Sequence, residues 1–99
     1  MYAVISKFVV ANDMSESVRQ AFRDRPHQVD NEPGFIGMDV IQPKGNEDEF
    51  WLITRWDSEA DWKNWYHSHS YKDSHQGIPA GLKLISEATE ITHFDVIAT

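Results

Sequence analysis

No cysteine occurs among the 99 residues of this chain. That excludes disulfide staples, thiolate metal sites and cysteine nucleophiles, so packing and hydrogen bonds must hold the fold. Basic residues are scarce too. Nine Lys and Arg stand against sixteen Asp and Glu, a formal charge of −7, and the pI is near 5.0. A field of that sign disfavours nucleic acid and anionic membrane as partners. No basic run reverses it locally, and Arg19, Arg23 and Arg25 are the cluster available to an anionic ligand. No apolar run approaches membrane-spanning length. The opening Met1-Tyr2-Ala3-Val4 lacks a signal-peptide pattern, and together these absences lead to the expectation of a cytoplasmic protein. A glycine-rich phosphate loop, a dinucleotide fingerprint and a Ser-His-Asp order are also missing.

Aromatics, by contrast, are concentrated. Trp56, Trp62, Trp65, Tyr66 and Tyr71 fall within one short stretch, and His75 lies just beyond. Burying a tryptophan removes a large apolar area from water, so such a cluster builds either a dense core or a pocket for something large and flat. A chain of this length makes one domain, spanning 1–99. A core that small encloses a deep cavity with difficulty, which favours a site open on one side or completed by a second subunit.

Tyr2 to Val10 is β-branched and apolar enough for a strand, with Val4, Ser6, Phe8 and Val10 on one face and Ala3, Ile5, Lys7 and Val9 on the other. Asp13 with Glu16 predicts a capping box, and Val18, Ala21, Phe22 and Val29 mark the buried face of the helix that follows, to near Arg25. Glu32-Pro33-Gly34 predicts a turn, Phe35 to Gln42 a strand, Pro43-Lys44-Gly45-Asn46 a hairpin, and Glu49 to Trp56 a third strand. Ser58 with Asp61 caps a second helix running to about His67, and Thr89 to Ala98 is the last strand. The order β-α-β-β-α-β is the α+β ferredoxin-like arrangement. Two helices on one face leave the other face of the sheet to be covered, and sheet-to-sheet dimerisation is the economical solution.

Trp62, Trp65, Tyr66 and His69 follow i, i+3, i+4, i+7 spacing and form one stripe on the second helix. If that helix continued, His75 would point roughly 80° away from Trp65. Ser70 with Asp73 offers a fresh cap, so a short helix from Tyr71 to Gln76 would return His75 towards Trp65, beside a loop running from Gly77 to Gly81. A zinc site on His67, His69 and His75 is disfavoured, because residues two apart on a helix diverge. His27 and His93 are expected at the surface or an interface.

Asn31-Glu32-Pro33-Gly34-Phe35-Ile36-Gly37-Met38, Trp56-Asp57-Ser58-Glu59-Ala60, Trp65 and His75 resemble the antibiotic biosynthesis monooxygenase (ABM) superfamily. Within it they are most similar to the IsdG/MhuD-type haem-degrading monooxygenases, over nearly the full chain. The resemblance implies a ferredoxin-like homodimer whose sheets close into an α/β barrel. It implies haem as both substrate and cofactor, with O2 and an external electron donor, either a reductase or a small reductant. It also implies roles: His75 as proximal ligand of the haem iron, Trp65 pressing against and ruffling the porphyrin, Phe22 as pocket wall with Phe8, and Arg25 facing a propionate. The family's catalytic asparagine on the first strand falls here on Ser6, a shorter donor. The activity expected is oxidative cleavage of the haem macrocycle with release of iron. The alternatives are cofactor-independent oxygenation of a quinol or phenol, and haem binding without degradation.

Overall fold

The computed structural model describes residues 1–25, 27–68, 79 and 81–99. His75, His69, the expected short helix at 71–76 and most of the loop after it lie outside the described residues.

Alternation along the first strand organises the sheet. β1 (Tyr2–Val9) is central, pairing antiparallel with β3 (Glu49–Trp56) on one side and β4 (Glu90–Asp95) on the other. β2 (Phe35–Ile41) closes the far edge on β3, for a strand order of β2-β3-β1-β4. With α1 (Ser15–Arg23) after β1 and α2 (Glu59–Tyr66) after β3, this is the expected ferredoxin-like order. The register puts Tyr2, Val4, Ser6 and Phe8 of β1 opposite Trp56, Thr54, Leu52 and Phe50 of β3. Side chains on one strand face repeat every second residue, so these eight share one side of the sheet. A bulge in β2, where the pairing steps from Phe35–Trp56 to Gly37–Arg55, brings Phe35 and Met38 to that same side although they are three residues apart.

The core on this side is split in two. Tyr2, Val4, Val29 and Trp56 form one cluster, joined by Phe35, Trp62 and Trp65. Val10, Val18 and Phe50 form the other, joined by Phe8, Met14, Phe22, Val40 and Leu82. Trp56 and Phe50 are the anchors, 0% and 1% exposed.

Several boundaries differ from the sequence expectation. The Asp13–Glu16 capping box does not form; Met14 is the N-cap and no side chain caps it. The neighbouring Ser15 instead donates its hydroxyl to Asp48 Oδ1 at 2.6 Å, across the sheet hairpin, and Glu16 accepts from Arg19 at 2.8 Å. Val29 belongs to a separate 3₁₀ turn (Gln28–Asn31) and is buried in the tryptophan cluster, not on the face of α1. β4 ends at Asp95, leaving Ile97 96% exposed.

The two sequence motifs at the start of β2 and of α2 interlock. Gly34 adopts φ 78°, which glycine tolerates best, and its carbonyl accepts from the Asp57 N–H at 2.8 Å. A Cβ built on Gly34 would overlap the Asp61 carboxylate. Asp61 in turn is fixed by Ser58, whose oxygen accepts the Asp61 N–H at 3.2 Å and whose hydroxyl donates to Oδ2 at 2.8 Å. The turn and the helix cap are therefore one packed unit, and this unit aims α2 and its tryptophans at the sheet.

Candidate functional site

Tyr2, Val4, Ser6, Phe8 and Val10 run along the helix-facing side of β1, and Ser6 is the small polar residue in a row of apolar and aromatic ones. Its cross-strand neighbours, Leu52 and Ile91, are apolar as well. Val4 belongs to one core cluster and Phe8 to the other, so Ser6 stands at the seam between them. It is half-buried, and its hydroxyl has no hydrogen-bond partner among the described residues. A hydroxyl in such surroundings is available to a ligand.

Trp65 packs over the same side of the sheet, on the cluster that includes Val4. Its ring packs on Trp56 with centroids 5.4 Å apart and planes tilted by 32°, and Trp56 is also met by an edge-on Phe35 at 5.3 Å. Ser68 caps the helix behind it, donating to the Trp65 carbonyl at 2.6 Å. Trp65 and Trp62 of the expected stripe both pack against the core cluster, and Trp62 also stacks on Tyr66 at 4.9 Å and meets His93 edge-on at 4.7 Å.

Phe22 and Arg25 are brought together in a different place, a cleft of about 330 Å³ between α1 and β2. Phe22 rests on Phe8 and Phe50, which stack at 5.2 Å, and so serves both the core and the cleft wall. The lining also includes Met38 and Val40 as floor and Arg19 and Arg23 at the rim, but neither Ser6 nor Trp65. The cations are unequal. Arg19 is committed to the Glu47 carbonyl at 2.8 Å and to Glu16. Arg25 is held by Asp30 at 3.1 Å. Arg23, largely exposed, has only a long 3.7 Å approach to Glu16 among the described residues. Burial works to raise the Asp30 pKa, but hydrogen bonds and charge from Arg25 and His27 outweigh it and hold the carboxyl below its ordinary 3.8. Asp30 therefore stays ionised and keeps Arg25 at the cleft mouth.

A contact that the sequence did not single out joins the termini of the fold. Tyr2 Oη lies 2.6 Å from Nδ1 of His93, on the edge strand. His93 is the diagonal neighbour of Tyr2 in the register, which is within reach of a long ring. Burial, with the negative charges of Glu59 and Asp95 nearby, outweighs Lys63 and pushes the Tyr2 phenol above its usual 10.0. In the tautomer that carries the ring proton on Nε2, the phenol donates and Nδ1 accepts. The parity that puts Tyr2 in the same row as Ser6 was the available signal.

Comparison with known proteins agrees with this architecture. Residues 1–77 match the family described as antibiotic biosynthesis monooxygenase. A heme oxygenase (mycobilin-producing) of Mycobacterium tuberculosis is 31% identical over 80 residues, covering 81% of this chain and 73% of that protein. Among solved structures, the heme-degrader MhuD of Mycobacterium tuberculosis, with two hemes bound, superposes with a TM-score of 0.79 at 22% identity, over 100% of this chain and 98% of that one. SnoaB, a cofactor-independent oxygenase of Streptomyces nogalater, gives 0.77 at 12% identity, over 99% and 94%. At these identities the two superpositions speak for the fold alone.

Proposed function

The chain belongs to the antibiotic biosynthesis monooxygenase family, and from that premise we propose that it is a haem-degrading monooxygenase, opening the macrocycle and releasing iron with O2 and electrons from a reductase or small reductant. The observation that carries this reading is the 31% identity to a heme oxygenase across 81% of the chain. The described residues suit such a ligand. Trp65, backed by Trp56, offers a flat apolar ring, Ser6 offers an unpaired hydroxyl at the seam, and Arg23 and Arg25 offer cations for carboxylates. His75 is proposed as the iron ligand on the resemblance alone. Bound haem supplies the redox-active iron and the carbon that is oxidised. The protein's own tasks are to hold the ring, to present one hydroxyl near the reacting centre and to limit water around it.

Ser6 favours a second reading, a haem-binding protein that does not degrade its ligand. A serine hydroxyl reaches less far than the amide it replaces. The test is a haemin titration, then ascorbate under air with catalase present, followed by absorbance. A saturable Soret band that bleaches is expected. Loss of the band in His75→Ala and faster bleaching in Ser6→Asn are expected as well. A band that never bleaches would leave the binding protein, and no band at all would sink both readings in favour of cofactor-free oxygenation.

We also infer a homodimer through the helix-free face of the sheet. Ile5, Trp51 and Phe94 share that face around a small groove with Lys7 and Glu90, and Ile41 and Phe94 are exposed by 46% and 43%. Covering such a surface is favourable. Sedimentation at the mass of a single chain would rule it out. Among the described residues, no helix is long and apolar enough to cross a membrane.

A further inference from the structure

Neighbouring aromatic and imidazole side chains lead from the candidate site to the outer edge of the sheet. Trp65 packs on Trp56 at 5.4 Å. Trp56 is the direct cross-strand partner of Tyr2, and both are buried in the same cluster. Tyr2 hydrogen-bonds to His93 at 2.6 Å, and His93 is exposed on β4. Trp62 of α2 meets the same imidazole edge-on at 4.7 Å, fixing it from the helix side. A buried tyrosine hydrogen-bonded to an imidazole, in one cluster with two packed indoles, is more than apolar filling. Phenylalanine would fill the same space without needing a partner for a hydroxyl.

We propose that Trp65, Trp56, Tyr2 and His93 form a one-electron relay between the candidate site and the surface of the edge strand. The proposal rests on the oxidative reading of the site, where a one-electron oxidant derived from dioxygen or peroxide arises. Such an oxidant removes an electron from Trp65, and the vacancy moves to Trp56. Tyr2 then gives one electron to the Trp56 radical cation, which restores the neutral indole. In the same step the phenolic proton passes along the 2.6 Å hydrogen bond to Nδ1. The products are a neutral tyrosyl radical and an imidazolium. A one-electron reductant of the ascorbate class, in solvent, returns the electron to Tyr2, and His93 returns the proton. Every proton and electron is accounted for, and the net effect is that a reductant at the surface quenches an oxidant in the pocket. The base is essential, because a tyrosine that can hand off its proton is easier to oxidise than tryptophan, whereas one that cannot is harder. Raising the phenol pKa through burial keeps that proton in place until the electron leaves.

The relay can be tested without haem. In pulse radiolysis of the ligand-free protein, azidyl radicals oxidise tryptophan by one electron. The tryptophanyl absorption is expected to decay as tyrosyl absorption rises, at a rate independent of protein concentration and slower in deuterated water. Tyr2→Phe, which keeps the ring and hence the packing, is expected to lose most of the tyrosyl rise. His93→Gln alters an exposed residue and keeps Tyr2; it is expected to slow the rise about tenfold or more, the scale of one lost hydrogen bond. A full tyrosyl yield in Tyr2→Phe would overturn the proposal, and so would an unchanged rate in His93→Gln. Thermal melts of each variant show that the fold is retained. A parallel haemin titration separates the two ideas: an intact Soret band with a silent relay overturns only the relay, and an intact relay without haem binding overturns only the haem reading.

Discussion

Gly34→Ala is expected to lower the unfolding free energy by about 2–5 kcal/mol, a large share of the roughly 5–15 kcal/mol available to a domain. Two costs add. The backbone at φ 78° is strained for any residue with a Cβ. The new Cβ also overlaps Asp61, whose carboxylate must move and give up the Ser58 hydroxyl that anchors the helix cap. Gly45 provides the control, because it has φ 88° with nothing within 4 Å of its would-be Cβ. Gly45→Ala carries the first cost without the second. In urea titrations the difference between the two variants measures the close approach alone. Equal costs would mean that Asp61 moves aside freely and that the turn and the cap are not coupled. The second consequence is functional: a displaced α2 carries Trp65 with it, so haemin affinity should fall in Gly34→Ala and hold in Gly45→Ala.

This coupling also marks what the sequence could and could not show. Local signals were legible. The parity of β1, the hairpin at Pro43–Asn46 and the Ser58 cap each depend on residues a few positions apart, and each is found. Signals whose partner is distant were not. Ser15, next to the unused Asp13–Glu16 pattern, is satisfied by Asp48, 33 positions away, while Glu16 is taken up by Arg19. Val29 kept its apolar character but left the helix face, because the chain turns before it and delivers it to the tryptophan cluster. His93 was expected at the surface and is there, yet its hydrogen bond to Tyr2 spans 91 positions and is invisible to any local pattern. For the site, family resemblance supplied Trp65, Ser6, Phe22 and Arg25, and the fold divides them. Phe22 and Arg25 share the α1–β2 cleft, while Ser6 and Trp65 belong to the seam and the tryptophan cluster. The acidic partner of Arg25 was legible only once the chain between α1 and β2 was folded back to bring Asp30 near.

Trp56→Ala is expected to cost about 3–5 kcal/mol, the usual penalty for emptying a core aromatic site. Trp56 is fully buried and in ring contact with both Phe35 and Trp65, so the cavity would have no easy way to collapse. Trp65 would lose its backing, and the fraction that folds should bind haemin more weakly. Trp56→Phe is expected to cost much less, about 1–2 kcal/mol, because most of the apolar contact survives. The indole Nε1 has no hydrogen-bond partner among the described residues, so removing it orphans no acceptor there. Urea titrations of the two variants check this, and equal costs would show that the indole N–H carries an interaction after all. The phenylalanine variant also separates packing from electron transfer. Phenylalanine fills the space between Tyr2 and Trp65 but is far harder to oxidise than an indole. Trp56→Phe should therefore remain folded and keep haemin binding while the fast tyrosyl phase disappears, and a tyrosyl phase that persists at the parental rate would place the electron's route elsewhere.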